Sequence, residues 1–139
     1  MKKLQILGER QSGKSTMLVE SMFVHLTDES LRKDLIMVAS SHNKIAIRHL
    51  KKALINKLAA NKLEVNVIEK ENLIQVGDRT CLFLDPTPGA FIGRSFDYVF
   101  LDNADFLGNN FLNFIDMIVR PYAVVIQTQD IKSFFNQKV

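Results

Sequence analysis

Eight residues near the start of the chain, Gly8-Glu9-Arg10-Gln11-Ser12-Gly13-Lys14-Ser15, constrain its fold more than any others. They fit G-x-x-x-x-G-K-S/T at every fixed position. The apolar run Leu4-Gln5-Ile6-Leu7 precedes them. A helical pattern follows, with Met17, Leu18, Ser21, Met22 and Leu26 on one expected face. Strand, glycine loop and helix in that order form a phosphate-binding unit. Gly8 and Gly13 let the backbone turn so that successive N–H groups aim at phosphate oxygens. The N-terminus of the helix adds its positive dipole end at the same place. In such a loop Lys14 reaches the outer phosphates and the Ser15 hydroxyl ligates Mg²⁺.

The rest of the chain alternates in the way such a unit requires. Leu4–Leu7 reads as a strand and Lys14 to about Leu26 as a helix closed near Thr27-Asp28. Asp34–Ala39 is a continuous apolar strand, suited to a parallel sheet covered on both faces. Ser40-Ser41-His42-Asn43 supplies polar caps for a helix over Lys44–Asn61, whose core face is Ile47, Leu50, Leu54 and Leu58. Val65–Ile68 is a short strand, and Leu73–Val76, Gly77-Asp78 and Thr80–Leu84 form a hairpin. Asp85–Gly89, with two prolines and a glycine, is expected to be a loop. Tyr98–Leu101 is a strand stopping at Asp102, and a helix follows over about Phe111–Val119. Pro121 ends that helix, Tyr122–Ile126 is the last strand, and Asp130 to about Gln137 is a short terminal helix. The expected class is α/β, a mainly parallel sheet with helices on both faces. At 139 residues a single domain over 1–139 is expected.

Composition narrows the setting. The chain is 47 % hydrophobic and 24 % charged, with no run long enough to span a bilayer, so a soluble protein without a membrane partner is expected. A net charge of +3 is too small to imply nucleic-acid binding by itself. The lone cysteine, Cys81, lies in an apolar run and reads as a buried small hydrophobe, consistent with a reducing, cytoplasmic compartment. Met1-Lys2-Lys3 is followed by too few apolar residues for a signal peptide.

An acidic residue closing an apolar strand is the second element of a Mg²⁺-ATP site, and Asp102 closes Tyr98–Leu101. Asp102-Asn103-Ala104-Asp105 has the spacing of the D-E-x-D box of helicase-like ATPases, with Asn103 at the position of the water-activating glutamate. An amide cannot take up a proton as a carboxylate does, yet it can orient a water. Asp105 or Glu9 is the alternative base, and capping of the following segment by Asn103 and Asp105 is the structural alternative.

Together these motifs resemble the ATPase core of the large terminase subunit, the motor that packages DNA in tailed phages. Arg10-Gln11-Ser12-Gly13-Lys14-Ser15 is similar to the family's R-Q-x-G-K-S/T loop, and Val38-Ala39-Ser40-Ser41-His42 to its motif after the first helix. The hairpin at Gly77, Gly93-Arg94-Ser95-Phe96-Asp97, the Asp102 strand, Phe106 after Asp105, and the late strand ending Gln127-Thr128 follow in the family's order. The resemblance covers about Met1 to Thr128. It implies a three-layer α/β/α, RecA-like P-loop fold. It implies ATP bound with Mg²⁺, through Gly8, Glu9, Gln11, Ser12, Gly13, Lys14, Ser15 and Thr16, with the metal on Ser15 and Asp102. Catalysis would involve Lys14, Arg10, Asp102, Asn103 and Asp105, with Arg10 on the γ-phosphate and Gln127 and Thr128 sensing its loss. The chain departs from the family in three places. Asn103 replaces the catalytic glutamate, Ile92 rather than arginine precedes Gly93, and a domain without the upstream adenine-gripping segment or a nuclease domain is expected.

Lys44, Arg48, Lys51 and Lys52 share one face of the long helix, a stripe able to neutralise DNA phosphates or simply to be solvated. His42 and His49 lack zinc-type partners. Phe106, Phe111, Phe114, Phe134 and Phe135 suit a core or interface. The leading expectation is ATP hydrolysis coupled to DNA handling, in the host cytoplasm if viral, by a homo-oligomer or beside a partner ATPase. A nucleotide-binding regulatory subunit with little hydrolysis is the first alternative, and a small-molecule kinase the second.

Overall fold

The computed structural model describes residues 2–8, 13–61, 67–118 and 123–130. Seven strands form one sheet in the order β1-β7-β6-β2-β5-β4-β3. In chain order these are β1 (Lys2–Gly8), β2 (Ile36–Ser40), β3 (Val67–Lys70), β4 (Leu73–Val76), β5 (Arg79–Phe83), β6 (Tyr98–Leu101) and β7 (Val124–Asp130). The strands from β1 to β5 in the sheet order are parallel, and β4 and β3 add an antiparallel meander at one edge. The expected α/β class and mainly parallel sheet are therefore observed. Helices α1 (Lys14–Thr27), α2 (Lys44–Ala60), α3 (Pro88–Phe91) and α4 (Asn109–Ile118) and a 3₁₀ turn over Ala104–Phe106 cover it.

Two cores divide the layers. On one face α1 and α2 pack Leu18, Met22, Leu26, Leu50, Leu54 and Leu58 onto Met37, Ala39, Cys81, Phe100 and Ile126. On the other, Phe91, Phe96, Phe111 and Ile115 pack onto Val38, Val99, Leu101 and Val125. Alternate residues of β2, β6 and β7 thus enter opposite cores, which is why these strands read as unbroken apolar runs. The four core residues expected of α2 are the four it buries, and Asn43 caps it by accepting from Ala46 N at 2.8 Å.

Several boundaries differ from expectation for identifiable reasons. Met17 is exposed and Val19 is buried in its place, because the stripe over the sheet is centred on Leu18, Met22 and Leu26. Of the polar run after β2, only Asn43 caps α2. Ser40 ends the strand and donates to Leu84 O at 2.6 Å. The Asp85–Gly89 segment is not all loop, since Pro88 opens α3 at a first-turn position where its missing N–H costs nothing. Helix α4 starts two residues early, after Gly108 at φ 79°. Strand β7 runs four residues past Ile126, since the polar Gln127, Thr128 and Gln129 are buried between β1 and β6 or against the second layer. The expected terminal helix, Pro121, Tyr122, Phe134 and Phe135 lie outside the described residues.

Candidate nucleotide and metal site

The parallel register brings the chemistry-bearing residues to one end of the sheet. Strand β7 lies between β1 and β6, pairing Ile6 with Thr128 and Leu101 with Gln127. Thr128 therefore stands beside the residue that follows β6, which is Asp102. From the other side α1 crosses over the same strand ends. Gly13, at φ 84°, adopts the left-handed conformation that glycine allows, and Lys14 then begins the helix.

Four side chains converge there. The Ser15 hydroxyl donates to both carboxylate oxygens of Asp102, at 2.9 and 3.0 Å, across 87 residues of sequence. Thr128 Oγ1 donates to Asp102 Oδ1 at 2.7 Å and accepts from Asn103 N at 2.8 Å. The Asn103 amide nitrogen lies 3.4 Å from Asp102 Oδ2 and 3.3 Å from His42 Nδ1. Asn103 holds φ 54°, a left-handed conformation that asparagine tolerates better than most residues. Beneath them the Asp102 backbone is fixed on both sides. Its N–H donates to Ser40 O at 3.0 Å, and its carbonyl accepts from Ser41 Oγ at 3.3 Å.

Asp102 is buried, and its observed partners are two hydroxyls and an amide. No cationic side chain pairs with it among the described residues. A buried carboxylate held by neutral donors alone lacks the countercharge that usually offsets desolvation. Hard oxygen donors from one hydroxyl and one carboxylate fit Mg²⁺, which takes few protein ligands and fills its sphere with phosphate and water. Among the described residues no group of three or more His, Cys, Asp or Glu could hold a metal without such help.

A cleft of about 750 Å³ opens from this cluster and runs between α1 and α2, past Thr16, His49 and Asn56. Ser15, Asp102 and Asn103 line it and Asp105 does not, although Asp105 sits only two residues on, in the 3₁₀ turn. Gly8 ends β1 opposite Asp130, and Lys14 is half-buried at the start of α1. Glu9, Arg10, Gln11 and Ser12 lie outside the described residues.

The pair Gln127-Thr128 separates. Thr128 faces the site, whereas Gln127 lines a polar cavity of about 300 Å³ under α4 on the opposite face, its Oε1 buried without a hydrogen-bond partner among the described residues. Ser41 and His42, read in the sequence as helix caps and as part of the motif after the first helix, also reach the site, Ser41 through the Asp102 carbonyl and His42 beside the Asn103 amide. The basic stripe is also altered. Lys51 folds onto the β3–β4 turn, pairing with Glu69 at 3.2 Å and donating to Lys70 O and Glu71 O, while Lys44, Arg48 and Lys52 stay exposed.

Neither a protein-family model nor a curated protein sequence matches the chain. Solved structures do. The large terminase of bacteriophage HK97 superposes with a TM-score of 0.79 at 12 % identity, over 93 % of this chain and 29 % of that one. The large terminase of a thermophilic bacteriophage, in complex with ADP, gives 0.70 at 13 % identity over 92 % and 33 %. The ATPase domain of a Thermus phage large terminase gives 0.64 at 14 % identity over 91 % and 59 %. The chain thus spans about a third of the length of the large terminases. No helix among the described residues is long and apolar enough to cross a membrane. The fold of this chain is that of the ATPase core of phage large terminases.

Proposed function

We propose that the chain binds Mg²⁺-ATP at the Ser15–Asp102 cluster and hydrolyses it to drive DNA handling. The observation that carries this reading is the bond from Ser15, at the start of α1, to the buried carboxylate of Asp102. Neighbours of the same fold have been crystallised with ADP and with ATP-γ-S, which supports a nucleotide here.

The roles follow from the positions. Lys14 and the loop amides, with Gly8, Glu9, Gln11, Ser12, Gly13 and Thr16, hold the phosphates. Ser15 and Asp102 hold the metal, which supplies charge stabilisation on the phosphoryl oxygens when bound. Asn103, between Asp102 and His42, orients the attacking water by hydrogen bonding. Asp105 and Glu9 are the alternative bases, and Arg10 places a permanent charge on the γ-phosphate. Thr128 touches both Asp102 and the Asn103 backbone, so displacement of the Asp102 carboxylate is felt directly by β7. DNA would lie along Lys44, Arg48 and Lys52, and an oligomer or a partner ATPase would complete the motor.

Asn103 favours one second reading, a nucleotide-binding subunit that hydrolyses little. Steady-state ATPase assays, with and without DNA, separate the two. Turnover abolished by Lys14→Ala supports the enzyme. Nucleotide binding without turnover, and a large gain in Asn103→Glu, supports the regulatory subunit.

A further inference from the structure

Ser41, His42 and Asn43 join β2 to α2, and the link is pinned at both ends. The buried Ser41 Oγ donates to Asp102 O at 3.3 Å, and Asn43 caps α2 by accepting from Ala46 N. His42 stands between these two fixed neighbours. Its exposed side chain lines the cleft, and its ring centroid lies 5.7 Å from that of Phe106. Phe106 is 59 % exposed, a large apolar surface left in water by the 3₁₀ turn. Its contact with the imidazole gives that surface a use, since it limits rotation of the His42 ring.

An asparagine amide can be turned either way, and its neighbours decide which. At 3.4 Å from Asp102 Oδ2, the amide oxygen would set acceptor against acceptor, so the nitrogen takes that side. The same nitrogen lies 3.3 Å from His42 Nδ1. A proton on Nδ1 would set donor against donor there. The complementary arrangement has Nδ1 unprotonated and accepting, with the ring proton on Nε2. Ser41 Oγ, 3.2 Å from Nδ1, is compatible with it, because a hydroxyl can donate to the ring nitrogen. Both amide hydrogens of Asn103 are then spent, one on Asp102 and one on His42. Oδ1 accepts no hydrogen bond among the described residues and is the unused group of a side chain that lines the cleft.

We propose that His42 is a positioning residue for hydrolysis: its Nδ1 holds the Asn103 amide with Oδ1 toward the attacking water. The proposal rests on the reading of this site as an ATPase. Of the two anchors of the amide, His42 is the one that does not compete with a metal, since Asp102 shares its oxygens with Mg²⁺ in that reading. Oδ1 accepts a hydrogen bond from the water and so aims a lone pair of the water oxygen at the γ-phosphorus. The water oxygen bonds to that phosphorus as its bond to the bridging oxygen breaks. ADP departs, and both water hydrogens leave on inorganic phosphate. No side chain has to store a proton, which is how an amide can stand where a carboxylate is expected.

Steady-state ATPase assays and imidazole ¹⁵N NMR on the full chain test this together. His42→Ala should lower kcat about tenfold, with KM for Mg²⁺-ATP and melting unchanged. His42→Asn, whose Oδ1 can stand where Nδ1 stands, should return kcat to within about threefold of the wild type. In an Asn103→Ala background His42→Ala should have no further effect, because the group it positions is gone. At alkaline pH the His42 resonances should show the proton on Nε2, and the Nδ1 resonance should move in Asn103→Ala. Additive losses in the double variant, a His42→Asn chain as slow as His42→Ala, or a proton on Nδ1 would each overturn the proposal. A wild type that turns over no ATP refutes the hydrolytic reading, and the resonances alone then uphold or overturn the hold of His42 on Asn103.

Discussion

The two ends of the parallel sheet both carry a buried carboxylate, and they treat it in opposite ways. At the end distant from the glycine loop, Asp97 accepts from Arg32 Nη2 at 2.8 Å and from Ile36 N at 2.9 Å. Beside it Arg79, also buried, donates to the carbonyls of Arg32, Leu31 and His25, locking the segment between α1 and β2. Charge meets charge and each carbonyl meets a donor, which is how a structural network satisfies itself. At the loop end, Asp102 receives only hydroxyl and amide hydrogens among the described residues. Hydroxyl donors can rotate away when a cation arrives, whereas a guanidinium clamp cannot. The difference between a finished network and one with room for a positive ion separates the structural end from the candidate site.

The largest effect expected from this contrast is on turnover. Lys14→Ala or Asp102→Ala should lower ATPase activity at least about a hundredfold, measured as steady-state phosphate release, with melting little changed. Arg79→Ala should behave inversely. Losing three hydrogen bonds from a buried cation should cost about 3 kcal/mol in urea unfolding and leave the affinity for Mg²⁺-ATP intact in folded protein. Equal effects of Asp102 and Arg79 substitutions on both readouts would erase the distinction.

Thr128→Val sharpens the boundary between the two behaviours. It removes one donor to Asp102 and the acceptor for Asn103 N, and should cost about 1 kcal/mol of stability and about tenfold in turnover, with nucleotide affinity nearly unchanged. The smallest effects belong to the basic helix face. Lys52→Ala or Arg48→Ala should each lower the salt slope of DNA binding by about one, while Lys51→Ala, whose ammonium is already engaged, should leave it unchanged.

How much of this was legible in the sequence depends on how local each signal is. The core face of α2 follows from spacing alone, because Ile47, Leu50, Leu54 and Leu58 recur at helical steps and nothing competes for them. Asp102 was legible because an apolar strand ends on it. The extension of β7 was not. Gln127, Thr128 and Gln129 look like the polar end of a strand, and only insertion between β1 and β6 explains their burial. Met17 was misplaced because a periodic stripe fixes the width of a helix face but not its centre. Arg79 reads as a turn residue after Gly77-Asp78, since the carbonyls it serves lie about fifty residues upstream. Asn103 was legible as a substitution of the expected glutamate. Its left-handed backbone was not, and that conformation should blunt any rescue by Asn103→Glu by about 1 kcal/mol of stability.

The central claim is that the Asp102 carboxylate, held by neutral hydrogen-bond donors, is a cation site for Mg²⁺ and a triphosphate. Calorimetric titration of ATP into wild type and Asp102→Asn, each with and without Mg²⁺, tests it most directly. The account predicts Mg²⁺-dependent binding in the wild type that the variant loses, while the variant folds as well as or better than the wild type without metal. Equal binding by both proteins in the presence of Mg²⁺, or none by either at millimolar ATP, would contradict it.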